Sequence, residues 1–551
     1  MLGARRRLGA GGRGTLRPMM NDGLSPHAAA PHKRTRRRWL RRTGVAIFSA
    51  LLVYVALAVR FYSGRPNIAR NFTAEFNAGF AATPESERAW PVYREAMLKL
   101  PFVADRIDTK GTYSRWPDVP VEGPDAGPVL AYLAEARESI SLVHRAAAMP
   151  VLGREISDVA DSLGWERLAA AGHAVTGSAD SPSPNPMLLH VILDHLGSMR
   201  ELTRLLRADA RLAAVQGDGD RAYADIVAIL GMADHADGAY GLISQLSSFG
   251  IRAIGIQALA ETMGIDPDLL TDAQLEDLYR RLAAYAGGAR PDLNLDGERN
   301  MLLDVAQRLF TDAGAGDGRV CLAGFRNLVE VMQGGSLTTG YYVIGPINAL
   351  RYGSRREFIA EYDRLIGLFR KDVAAPVWLQ SPVWESEREI DKIKSNPDAT
   401  FMQELVCGLI PAFREAAMSA EMIRMERDAA LLGLAAELHR RRTGSSPRSG
   451  ADLSGSFPNG LPADWIDGQP LRYALRDGRG VVYSLGPDED DDGGRLPEGG
   501  RTARLYERGG SRAVTDALAE PAGRRMYDGD LVLWPRWPAP LGPAPVSLPE
   551  G

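Results

Sequence analysis

The chain has 551 residues, 45% of them hydrophobic and 24% charged, so it is long and apolar enough to bury a large core and is not a disordered protein. Its formal charge of −4 hides a split: residues 1–42 carry twelve Lys/Arg and one acid, while the remainder carries 53 Lys/Arg against 68 Asp/Glu. A body this acidic repels nucleic-acid phosphates, and two cysteines, Cys321 and Cys407, are too few for a four-ligand structural zinc site.

Residues 1–32 are rich in Gly, Arg and Ala with no apolar period, the composition of a tail without a packed core. The cluster Lys33, Arg34, Arg36, Arg37, Arg38, Arg41 and Arg42 follows, and residues 45–59 then contain no charge. Thr43 to Val59 spans about 26 Å as a helix, slightly short of a hydrocarbon core of about 30 Å. Trp39, Phe61 and Tyr62 are placed to act as interfacial anchors, and Arg42 and Arg60 to snorkel. We therefore expect a basic cytoplasmic tail over 1–42 and a transmembrane helix over 43–60. The positive-inside rule then sets everything beyond outside the cytoplasm, in a single pass through the inner membrane. Ala56-Leu57-Ala58 offers the alternative of a cleaved signal peptide, which exports the same body.

From Thr83 the pattern is helical: Thr83 suits a cap, Pro84 the first helical position, and Trp90, Tyr93, Met97 and Leu98 follow at helical spacing. After a Pro/Gly-rich break at 117–128, apolar positions recur every three or four residues to about residue 440. The stretch Ala208–Leu230 reads as a helical hairpin turning at Gly217, with Ala222 and Ile226 facing inward; it resembles the middle of a tetratricopeptide unit, without a second copy at that period. Thr271-x-x-Gln274 is a capping box before Leu275, Leu278 and Leu282, and Gly264 and Pro267 close the preceding Ile251–Met263 segment. The expected body over 61–440 is thus built of helical hairpins, with a solenoid as its extended alternative.

Few residues in this body carry a chemical signal. His190 and His195, five apart, are rotated about 140° from one another on a helix and do not form a metal pair, and no HExxH spacing occurs. The Asp312–Gly318 segment, aligned to a calcium loop on Asp317-Gly318, has alanine at both earlier ligand positions and Gly324 in place of the bidentate acid. Trp378, Trp384 and Phe401 read as packing. Cys321 and Cys407 allow one disulfide at most, which the sequence does not decide; among apolar neighbours they read rather as two separate buried thiols.

Near Gly444 the composition changes to Gly, Pro and Asp with short alternating apolar runs at Leu471–Leu475, Val481–Leu485 and Leu531–Trp534. Asp477-Gly478 between the first two is a hairpin signal. A small β domain is expected over 441–545.

The last part of the chain carries a longer motif. A helix ends at Leu438–Gly444, and a turn reads Asp464-Trp465-Ile466-Asp467-Gly468-Gln469-Pro470. A loop reads Tyr483-Ser484-Leu485-Gly486-Pro487-Asp488-Glu489-Asp490-Asp491-Asp492-Gly493-Gly494, and Asp528-Gly529-Asp530 follows. Over about 110 residues this resembles the soluble end of type II secretion major pseudopilins. The resemblance implies a pseudopilin-like β domain whose loop binds calcium, through Ser484, the backbone oxygen of Leu485, Asp488, one or more of Asp490, Asp491 and Asp492, and Asp528 or Asp530. Calcium takes about six to eight oxygens, and five consecutive acids repel one another without a cation; a solvated acidic loop is the plain alternative. The insert from Arg495 to Tyr527 is long for that family. Ser49 also stands where a prepilin needs Glu at the fifth position after a cleavage-site Gly44. The layout as a whole resembles single-pass proteins of planctomycete-type bacteria, which implies architecture and no activity. The resulting expectation is a membrane-anchored envelope protein with protein partners and a calcium-stabilised end. Its rivals are an exported hydrolase with a dispersed active site and a pseudopilin-like secretion component.

Overall fold

The computed structural model describes residues 33–101, 121, 126–170, 181–237, 240–285, 293–312, 318–333, 339–380, 384–410, 413–476, 478–485, 489–495 and 530–535. The described residues are mostly helical, with one small antiparallel sheet. The chain divides into two units, Met1–Ala58 and Val59–Gly551.

The first unit is described from Lys33 onward and consists of helix α1 (Lys33–Ser63) as far as Ala58. Arg38–Ser63 is long and apolar enough to cross a membrane, at about 39 Å for 26 residues. Val45, Ile47, Phe48, Leu51, Leu52 and Val53 are all exposed, as lipid-facing side chains are.

The second unit begins with the last turn of α1 and the short α2 (Phe72–Ala78), capped by the Asn71 side chain. The expected helix at 83–98 starts later than its sequence signals: Pro84 leads into a 3-10 turn, Glu85–Glu87, and α3 (Trp90–Leu98) begins with Pro91 in its first turn. Arg88 is diverted into a parallel bridge with Val151, and the Ala89 and Trp90 amides donate to Val151 and Leu152 carbonyls, which holds this stretch extended. Trp90, Tyr93 and Met97 are buried. Helices α4 (Gly127–Glu135), α5 (Arg137–Ala147) and α6 (Leu163–Ala170) complete this end of the unit.

Helices α7 (His195–Val215), α8 (Gly219–Asp237) and α9 (Leu242–Ile265) pack against one another. Gly217 makes the α7–α8 turn at φ +75°, a conformation open to glycine, and Ala222 and Ile226 are fully buried. The capping box Thr271/Gln274 opens α10 (Asp272–Ala284) with both reciprocal bonds formed. A second group follows: α11 (Asp296–Leu309), α12 (Leu322–Gln333), α13 (Thr339–Arg351), α14 (Arg355–Ala374), α15 (Glu385–Ser395) and α16 (Phe401–Leu409). Cys321 and Cys407 are free and buried.

One helix joins these parts. The 31-residue α17 (Phe413–Thr443) gives Phe413, Ala416 and Ala417 to a core shared with α11 to α16 and Phe61, and Met418 to Leu438 to a larger core shared with α3 to α10. It is buried around most of its circumference, as a helix enclosed on all sides is. Its buried charges are satisfied locally: Arg427 holds Asp428 at 2.7 Å and donates to the Tyr285 carbonyl, and Arg424 pairs with Glu421 and Asp428.

The sheet has the order β1 (Arg472–Arg476), β2 (Arg479–Ser484), β3 (Leu531–Trp534), with Arg472 opposite Tyr483 and Arg476 opposite Arg479. The β2–β3 register shifts between Val482 and Tyr483. Gly478 in the hairpin turn has φ +78°; Asp477 lies outside the described residues. One face of the sheet, with Val482, Leu531, Leu533 and Trp534, joins the core that contains α17. The other carries Val481, Tyr483 and Val532, onto which the Gly493-Gly494 turn folds.

Candidate functional site

The turn before β1 is organised by Asp464. Its Oδ1 accepts the Ile466 amide at 3.0 Å, closing an Asx turn, and Asp467 repeats the arrangement with the Gln469 amide at 2.9 Å. Asp464 is fully buried. It also accepts the Ser484 hydroxyl at 2.7 Å and the Leu485 amide at 3.1 Å, and Arg472 reaches it at 2.8 Å. Burial pushes the Asp464 carboxyl up, and these donors together with Arg472 oppose the shift. Burial acts upward on Asp467 too, but Arg472 and the Gln469 amide outweigh it and hold Asp467 below the usual carboxylate value.

The acidic loop lies beyond β2. Asp491 accepts the Tyr483 hydroxyl at 3.0 Å and the Gly493 amide at 2.9 Å, and its other oxygen is 3.8 Å from Arg472 Nε. Arg476 donates to the carbonyls of Asp492 at 3.1 Å and Gly493 at 2.7 Å. Gly493 and Gly494 have φ of +67° and +79°, a pair of left-handed residues that turns the chain back over Tyr483. Asp530, just ahead of β3, is fully buried. Its Oδ2 accepts the Gly494 amide at 2.6 Å, and its Oδ1 has no hydrogen-bond partner among the described residues. Burial pushes Asp530 up to about 6, with the Asp491 and Asp492 carboxylates adding to the rise and the Gly494 and Asp492 amides opposing it.

The residues expected at a calcium site therefore divide. Asp530 lies within electrostatic reach of Asp491 and Asp492. Ser484 and Leu485 are buried and donate to Asp464, and Asp490 is exposed. Asp488 and Asp528 lie outside the described residues. Among the described residues no three His, Cys, Asp or Glu side chains form a ready metal cage. The Asp530 oxygen without a partner among the described residues and the nearby Asp491 carboxylate fit a hard cation in donor type, because a buried carboxylate oxygen left without a partner is costly and a cation would satisfy it. Asp464 and Arg472 escape a sequence reading as functional residues. Their signal is the Asp-x-x-Asp-Gly turn followed by an arginine at the start of a strand.

A second polar constellation lies in a cavity of about 630 Å³ bounded by α3, α4, α6 and α7. Trp90, Met97 and Leu133 form apolar wall, while His195, Glu201 and Arg204 bring polar groups to it. His190 and His195 are on different elements. His190 closes a 3-10 turn and is exposed, whereas His195 is buried at the start of α7, edge-on to Trp90 at 5.6 Å. Burial pushes His195 down to about 4, with Arg154 adding and Asp194 and Asp161 opposing. Burial raises Glu201 against the pull of Arg167 at 3.2 Å and of Arg204. Ser198, one turn beyond His195, makes no hydrogen bond to it among the described contacts.

A buried acid–imidazole pair joins α5 to α8. His144 Nε2 is 2.6 Å from Asp225 Oδ1, and Asp225 is fully buried. Burial pushes Asp225 up to about 7, His144 opposing and Asp209 adding; Asp209 is itself paired with Arg221. Compared with protein-family models, curated proteins and solved structures, the chain matches none.

Proposed function

We propose that this is a single-pass envelope protein, held by α1 with its basic tail in the cytoplasm, whose helical body contacts protein partners and whose C-terminal sheet is stabilised by calcium. The carrying observation is Asp530: a fully buried carboxylate, one oxygen of which has no partner among the described residues, near Asp491 and Asp492. Asp530 Oδ1 and Asp491 would hold the ion, with Asp492 nearby. The ion would satisfy the open Asp530 oxygen and neutralise a carboxylate that burial disfavours. The C-terminal end keeps its resemblance to pseudopilins in this reading, while Ser49 speaks against pilin-like assembly.

The test is calorimetric titration of calcium into the detergent-solubilised full chain. The reading expects one ion per chain, with binding lost in Asp530→Asn and unchanged in Glu489→Gln. No calcium binding by the parent chain rejects the cation role.

The exported-hydrolase reading is favoured by the cavity that contains His195 and Glu201, both shifted by burial. It ranks second because His195 has no bonded nucleophile among the described contacts, and its burial and the nearby Arg154 disfavour the imidazolium that a general base must form.

A further inference from the structure

Helix α13 runs from Thr339 to Leu350 without a charged residue before it closes at Arg351. One face is used within the protein. Gly345, Pro346 and Ala349 are buried, and a Cβ at Gly345 would come within 2.8 Å of the Phe61 ring. Beside this contact the Tyr62 hydroxyl donates to the Tyr342 carbonyl. The opposite face is just as apolar, yet it is open: Val343, Ile344 and Ile347 are 59%, 52% and 49% exposed. At about 100° per residue these three share one arc, away from Gly345 and Ala349.

A helix apolar all round belongs either in a protein core or in lipid. The twelve uncharged residues reach about 18 Å, too short for a hydrocarbon core of about 30 Å and suited to lying along its edge. Phe61 and Tyr62 belong to the last turn of the apolar segment Arg38–Ser63, so α13 packs against the residues at which that segment ends. Tyr62 and Tyr342 are both partly exposed there, and tyrosine rings favour the headgroup level.

We propose that α13 is an interfacial helix whose Val343, Ile344 and Ile347 side chains insert into a phospholipid bilayer, the one that α1 enters. The inference rests on the membrane-anchor reading above and adds a second contact with lipid. An interfacial helix ordinarily keeps a charged face toward water. Here that role is absent, because the face opposite the lipid is packed on Phe61.

The test uses the full chain in phosphatidylcholine–phosphatidylglycerol vesicles, with a nitroxide at one of three exposed positions: Ile347→Cys, Leu52→Cys in α1, or Ile243→Cys at the start of α9. The buried native thiols set the background, measured on the unsubstituted chain. The expected result is that Ile347 and Leu52 labels relax several-fold more with oxygen than with a water-soluble nickel chelate, while Ile243 shows the reverse. An Ile347 label that behaves like Ile243 while Leu52 is in lipid overturns the proposal and leaves the anchor standing. A label at Ile347 shielded from both agents also overturns it, in favour of a protein partner or a second copy. If Leu52 itself faces water, the anchor reading fails and this inference falls with it.

Discussion

Asp464 and Arg472 meet at 2.8 Å across the base of the hairpin, and the carboxylate is fully removed from solvent. The pair ties the turn at 464–468 to the first residue of β1, and the same carboxylate receives Ser484 and Leu485 at the end of β2. Asp464→Ala removes four interactions, among them the ion pair with Arg472, which keeps Asp467, and the bond from the Ser484 hydroxyl. Breaking a buried pair of this kind costs about 3–5 kcal/mol. Asp464→Asn, which keeps an acceptor oxygen, should cost less. Denaturant unfolding of the full chain in detergent checks the order, and an Ala variant within about 0.5 kcal/mol of the parent rejects the role given to Asp464.

Asp530 sets a pH dependence with a definite sign. Its folded-state value of about 6 lies above the ordinary aspartate value, so between the two the native chain holds a proton that the unfolded chain has released. In chelator, its contribution to stability is present below about pH 4 and is lost as the pH rises to about 6. Asp225, also raised, adds a slope of the same sign, so the informative quantity is the difference between parent and Asp530→Asn. The variant should lose part of the slope; identical pH profiles reject the burial argument.

Gly433 marks where the sheet meets α17, since a Cβ there would lie 2.1 Å from Trp534 Nε1. Gly433→Ala should therefore destabilise the protein by about 1–3 kcal/mol through overpacking, although alanine favours a helix. Adding Trp534→Leu should recover part of the loss. Stability unchanged by Gly433→Ala means that Trp534 does not sit tightly on this helix.

How much of this is legible in the sequence depends on range. The apolar run in α1, the capping box at Thr271 and Gln274, the turn at Gly217 and the hairpin around Gly478 are local, and each is written in a few adjacent residues. The start of α3 is displaced because Arg88 is recruited by Val151, about sixty residues away. The core shared by Gly433, Trp534 and Val482 leaves no mark on the composition change near Gly444. The acidic run announces a charged loop, but that Asp530 is buried beside Asp491 while Ser484 turns to Asp464 depends on strand pairing and on the Gly493-Gly494 turn. His195 reads as an ordinary histidine until helix packing places it in a cavity against Trp90.

Thermal unfolding of the full chain in calcium and in chelator is the most direct test of the cation role. At a calcium concentration a hundred times Kd, binding should stabilise the native state by about 2.7 kcal/mol, with a corresponding rise in Tm. Magnesium should substitute poorly, because it demands a tighter octahedral site and releases water reluctantly. Asp530→Asn should abolish most of the rise, and Asp491→Asn should reduce it. Equal Tm values in calcium and in chelator would contradict the account and leave residues 488–492 as a solvated acidic loop.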